Sequence, residues 1–223
     1  MIKDSKFQIV ELEAVVFLGA APNLEKLILV NDNERLTTHV VTSPAQEEEI
    51  PKKINYKSFS NLDRKFESYI SENFDVSRTL FVSLGARWIF NERIINDLLS
   101  GNLVNFHGSR LPLDAGGGGF SWRIMRGDRI DNQLVHLVDK GIDTGPILYT
   151  QKSLFPRECK VPADFEKYHR NKFVDFYQEF TQKLKRNTKF LLKYQVDYLG
   201  RYNPRLATDI SGWVDWSWSS LDL

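Results

Sequence analysis

Short β-branched and aromatic runs alternate with helically spaced stretches along this chain, and no other feature constrains its fold as tightly. The runs are EAVVFLG at 13–19, TTHVVT at 37–42, TLFVSL at 79–84, LVNF at 103–106 and LVHLV at 134–138. Each is long enough for a strand and too short for a buried helix. Between them, residues 23–30 place Leu24, Leu27 and Ile28 at helical spacing. Residues 62–74 put Phe66, Tyr69 and Ile70 on one face, and 92–99 open a further helix. The alternation predicts an α/β fold, a Rossmann-like, mainly parallel twisted sheet with helices on both faces. Residues 164–194 read as a long covering helix on Phe165, Tyr168, Phe173, Phe176, Phe180, Leu184 and Phe190, broken near Asn187 and Thr188. At 223 residues the chain suits one main domain over 1–195, with 196–223 starting a C-terminal extension.

Thirty Lys and Arg against 29 Asp and Glu leave a net charge of +1, so no basic field invites nucleic acid or an acidic membrane. Cys159 is the single cysteine, which excludes an internal disulfide and a thiolate metal cluster. The opening MIKDSKFQIVELE is too charged for a signal peptide, and no run of about 18 apolar residues offers a membrane span. A soluble, cytoplasmic protein is the expectation. Gly19 alone is not a dinucleotide fingerprint. Histidines at 39, 107, 136 and 169 have no metal-ligand spacing, and His39 reads as structural.

Nearly all the recognisable chemistry lies in 105–148. Asn105 and His107 end the fourth strand, two residues apart and so on one face, at the sheet edge where ligands of open α/β sheets bind. Alone, the pair would read as structural. A second Gly- and Asp-rich loop, 139–146, follows the run at 134–138 and is expected to leave the sheet beside the first. Asn105, His107 and Asp143 together offer an amide donor, a group titrating near neutrality and a carboxylate to orient it. That set suits acyl transfer to an amine.

Asn105-x-His107, then Ser109-x-Leu111-Pro112, and Gly141-Ile142-Asp143-Thr144-Gly145-Pro146-Ile147 resemble the Asn-x-His and Asp-Thr-Gly motifs of the folate-dependent formyltransferases. The resemblance spans about 15–218 and is strongest in the central third. It implies a formyltransferase catalytic domain over 1–195, catalysis by Asn105, His107 and Asp143, and 10-formyltetrahydrofolate as donor. It also implies a pterin site at Trp88, Ile89 and Phe90 on one loop and Val138, Asp139 and Gly141 on the other. Both loops are expected to leave the same sheet edge. No metal is required.

The chain departs from the common pattern after His107, where Gly108-Ser109-Arg110 and four glycines at 116–119 stand. With the Trp-rich 213–218, that variant looks most like sugar-modifying members. The expected acceptor is therefore a nucleotide-linked amino sugar, with Arg110, Gly117 and Gly118 on its phosphates. Glycinamide ribonucleotide and methionyl-tRNA are alternatives, as are a formyltetrahydrofolate hydrolase and a catalytically idle nucleotide-sugar binding module. A homodimer is compatible with all of them. The chain stops where family members continue, as a fragment or a short member would.

Overall fold

The computed structural model describes residues 5–116, 119–196 and 201–203. Gly117, Gly118 and the run 213–218 lie outside the described residues. The first half holds β1 (Lys6–Phe7), β2 (Ala14–Gly19), α1 (Leu24–Asn33), β3 (Thr37–Thr42), β4 (Lys57–Ser58), α2 (Arg64–Asn73), β5 (Thr79–Leu84) and β6 (Leu103–His107). The second holds β7 (Asp114–Gly116), α3 (Gly119–Met125), β8 (Ile130–Leu137), β9 (Ile147–Leu154), α4 (Pro162–Lys185), β10 (Phe190–Leu191) and β11 (Arg201–Asn203).

Seven strands make one sheet in the order β4-β3-β2-β5-β6-β8-β9. Its first five strands are parallel. Strand β2 shows why both faces are covered. Val15 and Phe17 join a core with Leu24 and Leu27 of α1 and Phe176 and Phe180 of α4, while Val16 and Leu18 join Phe66 and Ile70 of α2. Alternation by one residue feeds two cores, so the strand is apolar throughout. The Asp63 carboxylate caps α2 by accepting from the Lys65 and Phe66 amides at 2.9 and 3.4 Å. Helix α4 ends at Lys185, and Asn187 follows at φ 56°, the break expected there. Phe190 therefore leaves the helix for β10, which pairs with β1.

Two expectations need correction. Residues 92–99 do not form a regular α-helix, because Ile94–Leu98 closes a wider π-type turn. More important for function, β8 runs antiparallel to β6 and forms a hairpin with β9, a strand that no apolar run marks. The loop 138–146 therefore does not leave the edge that β6 leaves. It starts level with Leu103, where the Val138 amide donates to the Leu103 carbonyl at 2.9 Å, and folds back across the sheet face.

One buried polar link ties α4 to α1 through the larger core. The Tyr177 hydroxyl donates to Asn31 Oδ1 at 2.7 Å, and the Asn31 amide donates to Thr38 Oγ1 at 3.0 Å; Tyr177 and Asn31 are fully buried. Burial pushes the Tyr177 phenol far above its ordinary range, so it acts only as a hydroxyl. Tyr177→Phe strands the Asn31 oxygen and is expected to cost about 1–3 kcal/mol, read as a lower urea midpoint at unchanged m-value.

Candidate active site

Register places the first three site residues. Ser83 of β5 lies opposite Asn105 of β6, and Asn105 lies opposite His136 of β8, so the three share one face in a row across the sheet. The returning loop lowers Asp143 onto this row. Asn105 Nδ2 donates to Asp143 Oδ1 at 3.3 Å and stands 3.2 Å from His136 Nε2. His136 Nδ1 is 2.8 Å from the Leu137 carbonyl, which can only accept, so Nδ1 carries a proton and neutral His136 has its lone pair on Nε2. Both hydrogens of the Asn105 amide are then engaged, one by each neighbour. A charged His136 would instead turn its Nε2–H toward Asp143 Oδ1, 3.6 Å away.

Asp143 adopts φ 57°, a left-handed conformation that Asp tolerates better than most residues and that often marks functional strain. Its carbonyl accepts from Gln195 Nε2 at 2.8 Å, and the same amide reaches the Gly145 carbonyl at 2.7 Å. A Cβ on Gly145 would lie 1.8 Å from the Leu137 carbonyl oxygen, so the return of the loop requires glycine there. Asp139 accepts from the Gly141 amide at 3.0 Å and from Thr144 Oγ1 at 2.6 Å. Gly141 is needed within this loop too, since its Cβ would meet Thr144 Oγ1 at 2.1 Å.

A cavity of about 280 Å³ lies over the row. Trp88, Ile89 and Phe90 wall one side, and Val138, Asp139, Gly141, Ile142 and Asp143 the other. Their roles differ. Phe90 is buried in the α2-side core and Trp88 packs on Phe66 with ring centres 6.4 Å apart, whereas Ile89 and Ile142 stand 91% and 90% exposed on opposite walls. Trp88 Nε1 is buried without a hydrogen-bond partner.

His107 ends β6 with Nδ1 3.7 Å from Asp143 Oδ1, close enough for one bridging water or a small shift. Burial pushes its imidazole below the ordinary histidine range; Asp143 opposes this, and the Arg123 guanidinium, with any proton taken up by His136 or His169, adds to it. Asp143 is held below the usual carboxylate range, against burial, first by His136, which donates to it when its Nε2 is protonated, then by any charge on His107 and by the Asn105 amide. The pair thus rests as neutral imidazole and carboxylate.

Behind His107, on the α4 side, two further cavities of about 210 and 270 Å³ share His107, Gly108, His169 and Arg170. The first also touches Ser83 and Gly85, which line the larger cavity, so the spaces meet at the strand ends. Gln46 is 2% exposed and donates to the Gly85 carbonyl at 3.0 Å, fixing this junction. Arg110 bonds Asp114 at 2.6 Å and also Asp128, so its guanidinium is engaged within the protein. His136, Ser83, Gln195 and His169 were not singled out by sequence. A polar residue inside the apolar run 134–138 was the one available signal for His136.

No family model matches the chain. Over 174 residues it is 30% identical to a methionyl-tRNA formyltransferase of Microcystis aeruginosa, covering 67% of this chain and 51% of that protein, so it spans about half the length of such curated relatives. Among solved structures, an N-formyltransferase of Helicobacter canadensis in complex with folinic acid and dTDP-3-aminofucose matches with a TM-score of 0.66 and 16% identity. That match covers 95% of this chain and 77% of that one. A sugar N-formyltransferase from a Shewanella species matches with a TM-score of 0.65 and 18% identity, over 93% and 83% of the two chains.

The depressed His107 fixes the sign of one pH effect. Unfolded histidine takes its proton near pH ~6.5, while the native state resists it, so the unfolded chain binds more protons just below that pH and stability falls as pH falls. Asp143 acts in a separate window: its depressed pKa contributes stability above about pH 4 that is lost on further acidification. Melting curves should therefore show a drop between about pH 7 and pH 5 that is smaller in His107→Gln. An equal drop in both proteins would remove His107 as its source.

Proposed function

We propose that this chain, formyltransferase-like in sequence and in fold, moves a formyl group from 10-formyltetrahydrofolate to the amine of a nucleotide-linked amino sugar. The observation that carries the reading is the convergence of Asn105, His107 and Asp143 where a ring-sized cavity meets a second space behind His107. The larger cavity fits a folate ring. Ile89 and Ile142 offer apolar cover from opposite walls, and main-chain groups of the 138–143 loop offer polar contacts. Trp88, Ile89, Phe90, Val138, Asp139 and Gly141 would hold it.

When bound, the donor supplies an electrophilic formyl carbon. The chain's own residues do the rest. Asn105 gives an amide hydrogen to the formyl oxygen, exchanging its His136 contact for it, so the donor is in place before charge develops. His107, neutral at rest, would take up the proton lost by the attacking amine, with the Asp143 carboxylate 3.7 Å away to support the charge. Asp143 orients and stabilises the charged imidazole, and the pair handles the proton that finally reaches the leaving nitrogen. The acceptor enters from the α4 side. A sugar is favoured over other amines by the nucleotide-sugar ligand of the Helicobacter relative and by the glycines at 116–119, including Gly117 and Gly118. Arg110, held by Asp114 and Asp128, would meet acceptor phosphates only by releasing one of them.

The curated relatives favour a second reading, methionyl-tRNA as acceptor. One assay separates the two: donor with either dTDP-3-aminofucose or methionyl-tRNA, read by mass for gain of a formyl group. The sugar is expected to gain it. Formate release with neither acceptor modified would point to a hydrolase. In the productive assay, His107→Asn and Asp143→Asn should each lower kcat about a hundredfold or more while 5-formyltetrahydrofolate binds nearly as before. Full turnover in either variant would end its catalytic role.

A further inference from the structure

His169 is a wall residue of both cavities behind His107, and the triad does not use it. Its Nδ1 lies 2.7 Å from Oδ1 of Asp131, a carboxylate 1% exposed on β8. Two acceptors cannot sit that close without a hydrogen between them, so Nδ1 carries a proton, and in the neutral ring Nε2 holds the lone pair. Gln133 Nε2 also stands 2.8 Å from Nδ1, but its hydrogens have other takers, Asp131 Oδ2 at 3.3 Å and the His169 carbonyl at 3.1 Å. The lone pair points toward the strand end. A Cβ on Gly108 would lie 2.6 Å from His169 Nε2, so the ring occupies the space a side chain next to His107 would need. Glycine at 108 is what admits it.

We propose that His169, oriented by Asp131, is the base that removes the proton from the acceptor's ammonium group. The inference rests on the formyl-transfer reading and answers a requirement of it. An ordinary aliphatic amine arrives charged at neutral pH and cannot attack until it loses a proton. Transfer from a charged amine forms one C–N bond, breaks the donor's N–formyl bond, leaves one proton on the donor nitrogen and releases one more. His107 and Asp143 serve the first proton; His169 takes the second and passes it to solvent, to which its ring is partly open. Besides Asp131, the charged groups facing His169 are Arg123 of α3, whose Nη1 is 3.9 Å from the same Asp131 oxygen, His107 of β6, and the Glu166–Arg170 pair on α4 itself. The Asp131 carboxylate, in direct contact with Nδ1, is the group that supports the transient positive charge on His169; Arg123 opposes it, and Glu166 is taken up by Arg170.

Two measurements test this. With dTDP-3-aminofucose as probe, His169→Gln should lower kcat about a hundredfold near neutrality, and the defect should shrink as rising pH frees the amine without help. Asp131→Asn should do the same more weakly, and 5-formyltetrahydrofolate binding should not change. A defect that stays constant with pH is a structural effect and overturns the proposal, as does unchanged turnover. Independently of turnover, nitrogen-15 NMR of the full chain should show His169 as the Nδ1-protonated tautomer, and Asp131→Asn should lose that preference. A proton on Nε2 overturns the inference. Absence of formylation of the sugar by the unaltered chain overturns the acceptor reading instead, and the tautomer still decides the role of His169.

Discussion

The antiparallel register between β8 and β6 is the constraint on which the site depends. It sets His136 opposite Asn105 and, through the hairpin with β9, sends the 138–146 loop back over the sheet so that Asp143 lands on the Asn105 amide. The return is sharp, and its cost is visible in the backbone: Asp143 is left-handed, and Gly145 sits where no Cβ fits. Gln195, far along the chain, holds the strained turn by its two carbonyls. Slipping β8 by one residue would turn His136 to the α4 face and dissolve the arrangement.

The same pairing explains how one sheet edge serves two ligands. Residues alternate between faces, so Asn105 and His136 look toward the α2-side cavity, while Gln133 looks toward α4 and the His169 pocket with Asp131 nearby. His107, at the end of β6, stands where the two sides meet. A neutral, buried imidazole is suited to that place because it responds to charge arising on either side.

Much of this was legible before any coordinates. The parallel half of the sheet was readable because β2 and β5 are buried on both faces and so are nearly continuous apolar runs, while β3 and β6 each keep a short buried β-branched or apolar stretch. Asn105 and His107 could be placed on one face by spacing alone. Strand β9 was not legible, because ILYTQKSL mixes exposed polar positions with apolar ones and lies beside a Gly-Pro turn. Without it, the direction of β8 was undetermined, and His136 had no visible partner. The Asp131–His169 pair was hidden for another reason: its members are 38 residues apart on a strand and a helix, and only packing of α4 on β8 brings them together. Spacing rules see neighbours along one element and are blind to such meetings.

The central claim is that the donor's formyl group sits at the strand ends with its ring on the α2 side and the acceptor behind His107. A crystal structure with 5-formyltetrahydrofolate tests it most directly. The account predicts the pterin between Ile89 and Ile142, the Asn105 amide turned from His136 toward the ligand, and the His169 pocket still open. A folate found instead against His169 and Arg170, with the Ile89 to Ile142 cavity empty, would contradict it.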